Sequence, residues 1–168
     1  MPESDNDKII DLVLKHEVGN APDGGLTNNP QDAGGKTQYG ISEKDNPAAW
    51  ADGVVTEDEA RAIYEAKYLV GPGFDKVDSI PLRTQLVDFG VNSGPAVAIK
   101  KLQAILGVAA DGVLGPSTLA ALAGANPAKI NNLLVASRVI MIGRIVAKNP
   151  SQLQFLQGWL SRATEFIL

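Results

Sequence analysis

The chain of 168 residues predicts a mostly α-helical (α+β) fold: a helical bundle with a small β-rich lobe near the N-terminus. Three observations predict it. Apolar residues recur at helical spacing over most of the length. Residues 18–42, VGNAPDGGLTNNPQDAGGKTQYGIS, are instead dense in Gly, Asn, Asp and Pro, which a helix interior does not tolerate. Elsewhere prolines and capping residues stand where helices should start.

Taken in order, the first helix is expected from Asp5 to Glu17. Ser4 and Asp7 have the spacing of a capping pair, a hydroxyl acceptor followed three residues on by a carboxylate. Ile10, Val13, Leu14 and Glu17 then fall at i, i+3, i+4 and i+7, so Glu17 extends the apolar stripe and does not oppose it. In the lobe that follows, DGGLTNNP and DAGGKTQYGI predict tight turns and short strands. Helix resumes at Thr56, whose TEDE is a capping box with Glu59, and carries Ala60, Ile63, Tyr64, Lys67 and Tyr68 toward VGPG. Pro81 opens a third helix with an apolar stripe (Leu82, Leu86, Phe89) and a polar one (Gln85, Asp88, Asn92). Pro95 opens a fourth, DGVLGP turns the chain, and Ser117 to Leu122 make a short helix. Asn126-Pro127 and Asn149-Pro150 start the last two.

Composition removes several function classes. With no cysteine there is no disulfide scaffold, no cysteine nucleophile and no thiolate metal site. A net charge of −4 without a basic face argues against nucleic acid as a partner. The start MPESDNDKII is acidic and polar, unlike a secretory signal, and no run approaches the roughly 18 apolar residues of a membrane span. Synthesis in the cytoplasm without a signal peptide and no membrane insertion are therefore expected.

Glu17 is the first chemical candidate. A partly buried carboxyl that keeps its proton near neutral pH is what a general acid needs; the plainer alternative is a helix-end glutamate turned to solvent. His16-Glu17 suggests a zinc protease, but that motif needs a second histidine one turn on, and His16 is the only histidine. No metal or cofactor is expected. Asp23 and Asp32 sit where aspartates ordinarily serve turns. DAGGKTQYGI is less ordinary, because its glycines let backbone approach a ligand; Asp32 or Thr37 could there orient a water or stabilise positive charge opposite Glu17. The stripe Gln85–Asp88–Asn92 is either an exposed helix face or the lining of a cleft. AIKKLQAILGVAADGVLGPSTLAALA has the outline of a helix-turn-helix, yet PSTLAALAG offers no Arg, Lys, Asn or Gln to reach base edges.

Together, KHEVG, DAGGKTQYGIS, VDFGVNSG and DGVLGPSTLAAL resemble, in order and spacing, glycoside hydrolase family 108, the lysozyme-like N-acetylmuramidases found among phage endolysins. The likeness runs from about Ile9 to the last helix. Its implications are a lysozyme-like fold and one catalytic domain over residues 1–168. Residues 1–94 would be the muramidase core, with 95–168 a peptidoglycan-binding-like helical segment packed on it. By the same likeness Glu17 takes the place of the catalytic acid. Asp32 and Thr37 match the acid and threonine of the glycine-rich stretch, and Asn92 the asparagine of the cleft helix. Tyr39, Gln85 and Asp88 are expected beside Asn92 as substrate contacts. The chain departs from the family pattern at Val18, which replaces a glycine, at Ala33, which replaces a proline, and in extra residues around APDGGL. Asp23 therefore stays open as the second carboxylate.

The implied reaction is hydrolysis of the β-1,4 bond between N-acetylmuramic acid and N-acetylglucosamine by a monomer acting on peptidoglycan glycan strands. Its rivals are a lytic transglycosylase, a secreted antibacterial muramidase, and a non-catalytic peptidoglycan-binding or virion structural protein.

Overall fold

The first helix, α1 (Asp5–Val18), starts where its capping pair predicts. Asp7 N–H donates to Ser4 Oγ at 3.1 Å and Asp7 Oδ2 accepts from Ser4 N–H at 2.9 Å, so two otherwise orphaned helix-end donors are satisfied. Hydrogen bonds from the Ser4 hydroxyl and then its backbone hold the Asp7 carboxyl below its ordinary value. Ile9, Ile10, Val13 and Leu14 are buried along one face. Gly19 ends the helix at φ 59°, its N–H returning to the Lys15 carbonyl at 3.0 Å.

The computed structural model describes residues 4–28 and 35–168, in two compact units, Met1–Gly71 and Pro72–Leu168. In the first unit, the turn-rich segment folds a two-stranded antiparallel sheet from β1 (Thr37–Gln38) and β2 (Ile41–Ser42), with Gln38 opposite Ile41. Thr27 bridges Thr37 from the other side. The strands are joined by Tyr39-Gly40, both at positive φ (51° and 73°), as the right-handed twist of a two-residue hairpin requires. Gln38 secures the hairpin, its Nε2 donating to the Asp23 carbonyl and its Oε1 accepting from Val55 N–H, each at 2.9 Å. Helix α2 (Glu57–Tyr64) begins with the expected Thr56–Glu59 capping box and packs on α1. It does not continue to Tyr68 as regular α-helix. Glu65–Val70 is a π-helical turn, closed by Gly71 N–H on the Ala66 carbonyl at 2.9 Å. Gly71 permits this approach, since a Cβ there would stand 2.6 Å from that oxygen.

The second unit is helical: a 3₁₀ turn at Phe74–Lys76, then α3 (Ile80–Ser93), α4 (Pro95–Leu106), α5 (Pro116–Ala123) and α6 (Pro127–Lys148). A 3₁₀ segment, Pro150–Phe155, precedes α7 (Leu156–Thr164), so Asn149-Pro150 opens 3₁₀ geometry first. The prolines sit in first turns, where no amide donor is missed. Helix α3 is central: Leu82, Leu86, Val87 and Phe89 are fully buried, and it packs on α4 and α6. The DGVLGP turn is held by Gln103, which donates to Asp111 Oδ1 (2.7 Å), the Val113 carbonyl (2.9 Å) and Thr118 Oγ1 (3.1 Å), and accepts from Gly112 N–H at 2.9 Å.

One expectation is amended here. By length and composition α6 is apolar enough to cross a membrane. In this fold it packs on α3, α4 and α7 and buries Arg138 against Asp88, so its stripe of Ile130, Leu134, Val135 and Ile142 serves a protein core.

Candidate active site

Glu17 stands in the last turn of α1, half-buried, against the tip of the hairpin. Its Cβ and Oε2 each lie 3.3 Å from where a Cβ on Gly40 would stand, and the Tyr64 hydroxyl would overlap that same atom. Three elements thus converge on one point: the α1 terminus, the hairpin turn and the end of α2. Tyr64 is buried and donates its hydroxyl to the Tyr39 carbonyl at 2.9 Å, fastening the hairpin tip. Tyr68, one turn further on, sits with its ring centroid 5.8 Å from that of Tyr64. Burial first, then the negative charges of Glu17 and Asp45, push the Tyr68 phenol above its usual value. Glu17 and Asp45 therefore share an electrostatic neighbourhood centred on Tyr68. Asp45 is itself placed by Ser42, whose Oγ donates to Asp45 Oδ2 at 2.8 Å.

The other expected residues divide. Thr37 is in β1, its backbone N–H and carbonyl both paired with Thr27 (3.0 and 2.8 Å). Tyr39 forms the hairpin tip, its ring packed over the Cα of Gly24. It borders a hollow of about 480 Å³ lined also by Asp11, Leu14, Lys15 and Val18 of α1 and by Arg61, which pairs with Asp11. Glu17 is not among the residues that line the hollow. Asp23 has a turn role, its Oδ1 accepting from Gly25 N–H at 3.1 Å. Asp32 lies outside the described residues.

Gln85 and Asp88 do not line an open cleft, which corrects their assignment as substrate contacts. Their exposures are 0% and 1%, and their polar atoms are committed inside the second unit. Asp88 Oδ2 accepts from Arg138 Nη2 at 2.6 Å and Oδ1 from Arg162 Nε at 2.8 Å. Arg138 is as buried as Asp88 and lies over the Phe89 and Phe166 rings (5.1 and 5.8 Å); burial draws its guanidinium below its usual value, with Asp88 opposing. Gln85 meets Asn131, the satisfying amide orientation donating to Asn131 Oδ1 at 2.7 Å. A helix covered on nearly all sides needs partners for its polar residues, and α6 and α7 supply them. Asn92, at the exposed end of the same stripe, is accessible.

Sequence reasoning missed Gly40, Tyr64, Tyr68 and Asp45 as site residues. The tyrosines carried a signal, since four-residue spacing puts them on one helix face. Among the described residues no three His, Asp or Glu side chains converge as metal ligands would.

A helix-borne glutamate meeting a small antiparallel hairpin, followed by a helical unit, defines a lysozyme-like protein. The comparisons agree. Residues 10–94 match the model for Glycosyl hydrolase 108, and residues 97–164 match one described as "Predicted Peptidoglycan domain". The chain belongs to glycosyl hydrolase family 108. The solved structure of SagA from Brucella abortus is similar at 30% identity and a TM-score of 0.75, over 96% of this chain and 90% of that one. No curated protein matches the sequence. The chain is thus a glycoside hydrolase, with peptidoglycan as its substrate polymer.

Proposed function

We propose that the chain is an N-acetylmuramidase that hydrolyses the β-1,4 bond from N-acetylmuramic acid to N-acetylglucosamine. The observation that carries this reading is the Glu17 carboxyl held against the hairpin tip at Gly40, beside Tyr64 and Tyr68, in a family 108 chain. Glu17 protonates the leaving glycosidic oxygen, positive charge develops at the anomeric carbon, and water completes the displacement. The Tyr64–Tyr39 bond positions the hairpin against Glu17. Asp32 or Thr37 orients the water, with Asp23 the alternative carboxylate. Tyr39 and Asn92 contact the glycan. Residues 1–94 carry the chemistry and 95–168 the hold on the polymer. The setting we propose is a phage endolysin, monomeric, that reaches periplasmic peptidoglycan after release from the host cytoplasm.

Glu17→Gln tests the assignment. It keeps the shape and hydrogen-bonding capacity of the side chain but cannot donate the acid proton. Clearing of a purified cell-wall suspension is expected to fall by at least about 10²–10⁴-fold, the usual worth of general acid catalysis, with the circular dichroism spectrum unchanged. Clearing by the variant at the native rate would remove Glu17 from the mechanism.

A further inference from the structure

The second unit contains a cavity of about 170 Å³ around Asn92, outside Glu17's own unit. Asn92 and Ser93 of α3, Met141, Ile142 and Ile145 of α6, and Trp159 of α7 line it. Each contributes something a sugar needs. Trp159 is partly exposed and braced by Phe155, with ring centroids 5.7 Å apart at 29°. A braced indole offers a flat apolar surface for the C–H face of a pyranose at little ordering cost. Asn92 is exposed, and its amide can donate and accept at once, which matches the N–H and C=O of an acetamido group. The Ser93 hydroxyl, which donates to Asn92 Oδ1 at 3.5 Å, adds a further acceptor. The two isoleucines and the adaptable Met141 give an acetamide methyl an apolar seat. The size suits one ring, being below the roughly 300 Å³ at which sites for larger ligands begin.

Charge narrows the ligand further. None of the six lining residues is ionised, so nothing there offsets the desolvation of a carboxylate or phosphate. Of the two sugars in a peptidoglycan strand, N-acetylglucosamine is neutral and bears no substituent at O3, whereas N-acetylmuramic acid carries there a lactyl group that bears the charged stem peptide, or a free carboxylate where the peptide has been removed. We propose that this cavity is a subsite for a neutral N-acetylhexosamine ring, N-acetylglucosamine in the polymer, with Trp159 as its platform and Asn92 as its acetamide reader. The proposal rests on peptidoglycan being the substrate.

The test uses the full-length Glu17→Gln chain and a β-1,4-linked N-acetylglucosamine trimer, followed by the indole N–H signals in nitrogen–proton correlation spectra. Trp50 is an internal control, being buried with its Nε1 on the Ile41 carbonyl at 3.2 Å. The Trp159 signal is expected to shift saturably while that of Trp50 stays. Asn92→Ala, at an exposed position, is expected to weaken the trimer about tenfold, as loss of a polar contact does. Trp159→Phe is expected to weaken it less than Trp159→Ala. A Trp159 signal unmoved by trimer, undiminished affinity in Asn92→Ala, or equal affinity for free N-acetylmuramic acid would overturn the subsite. Native chain that clears cell walls without a Trp159 shift sinks the subsite alone; a Trp159 shift in a chain that never clears them sinks the hydrolase assignment alone.

Discussion

Gly40 is where sequence and chemistry meet most tightly. Its φ of 73° favours glycine, and the space a Cβ would take is already held by Glu17 and Tyr64. Gly40→Ala is therefore expected to lose at least about 1 kcal/mol of stability from backbone strain alone. It should also lower activity per folded molecule, because the hairpin tip must retreat from Glu17. Urea denaturation and cell-wall clearing measure the two, and unchanged activity would detach the tip from the site. Tyr68 gives a second test. Its phenol is raised by burial and then by Glu17 and Asp45, so the native state holds that proton more tightly than the unfolded chain. The stabilisation is complete below the unfolded value of about 10 and is lost as pH rises through the folded value. In ultraviolet titration Tyr68→Phe should remove a transition that ends above that of a free tyrosine, and Glu17→Gln should bring Tyr68 downward. At this scale Glu17 was legible because its place on the Ile10–Val13–Leu14 stripe is a matter of helical spacing. Tyr64 and Asp45 were not, because their roles depend on which segments fold against α1, and no local pattern states that.

Among the elements, α3 is the one the sequence most misleads about. Its polar stripe has the spacing of a wet or cleft-lining face, yet Asp88 is enclosed between two arginines on helices far along the chain. A clue was available in Arg138, an isolated charge between Leu134 and Ile142 on an apolar stripe. Asp88→Ala would leave Arg138 buried without its carboxylate, at a cost of about 3–5 kcal/mol. The expected outcome is a large fall in the urea midpoint with activity per folded molecule retained. Native stability with lost activity would return Asp88 to the substrate. The helix starts, by contrast, were legible at Ser4, Thr56, Pro81, Pro95 and Pro127, because capping and proline chemistry act within a few residues. The π-helical turn at Glu65–Val70 was not, since its amphipathic stripe is compatible with ordinary α-helix until Gly71 admits the Ala66 carbonyl.

At the scale of the molecule, a mostly helical chain with one small β-rich lobe was readable from helical periodicity, helix-start residues and the turn-rich stretch at 18–42. The lobe is where glycine and aspartate displace helix formers, and the hairpin forms there because Tyr39-Gly40 accepts positive φ at both positions. The compact units meet at Gly71–Pro72, whereas the two family matches meet between residues 94 and 97. Helix α3 therefore belongs to the hydrolase match by sequence and to the helical unit by packing, which is why its stripe was assigned to the site. The central claim is that Glu17 drives hydrolysis of a glycan strand. Digesting purified sacculi with the native chain in water labelled with heavy oxygen, and weighing the released muropeptides by mass spectrometry, tests it most directly. The account predicts N-acetylmuramic acid reducing ends carrying the label, absent from the Glu17→Gln digest; unlabelled 1,6-anhydro ends, or labelled ends made equally well by Glu17→Gln, would contradict it.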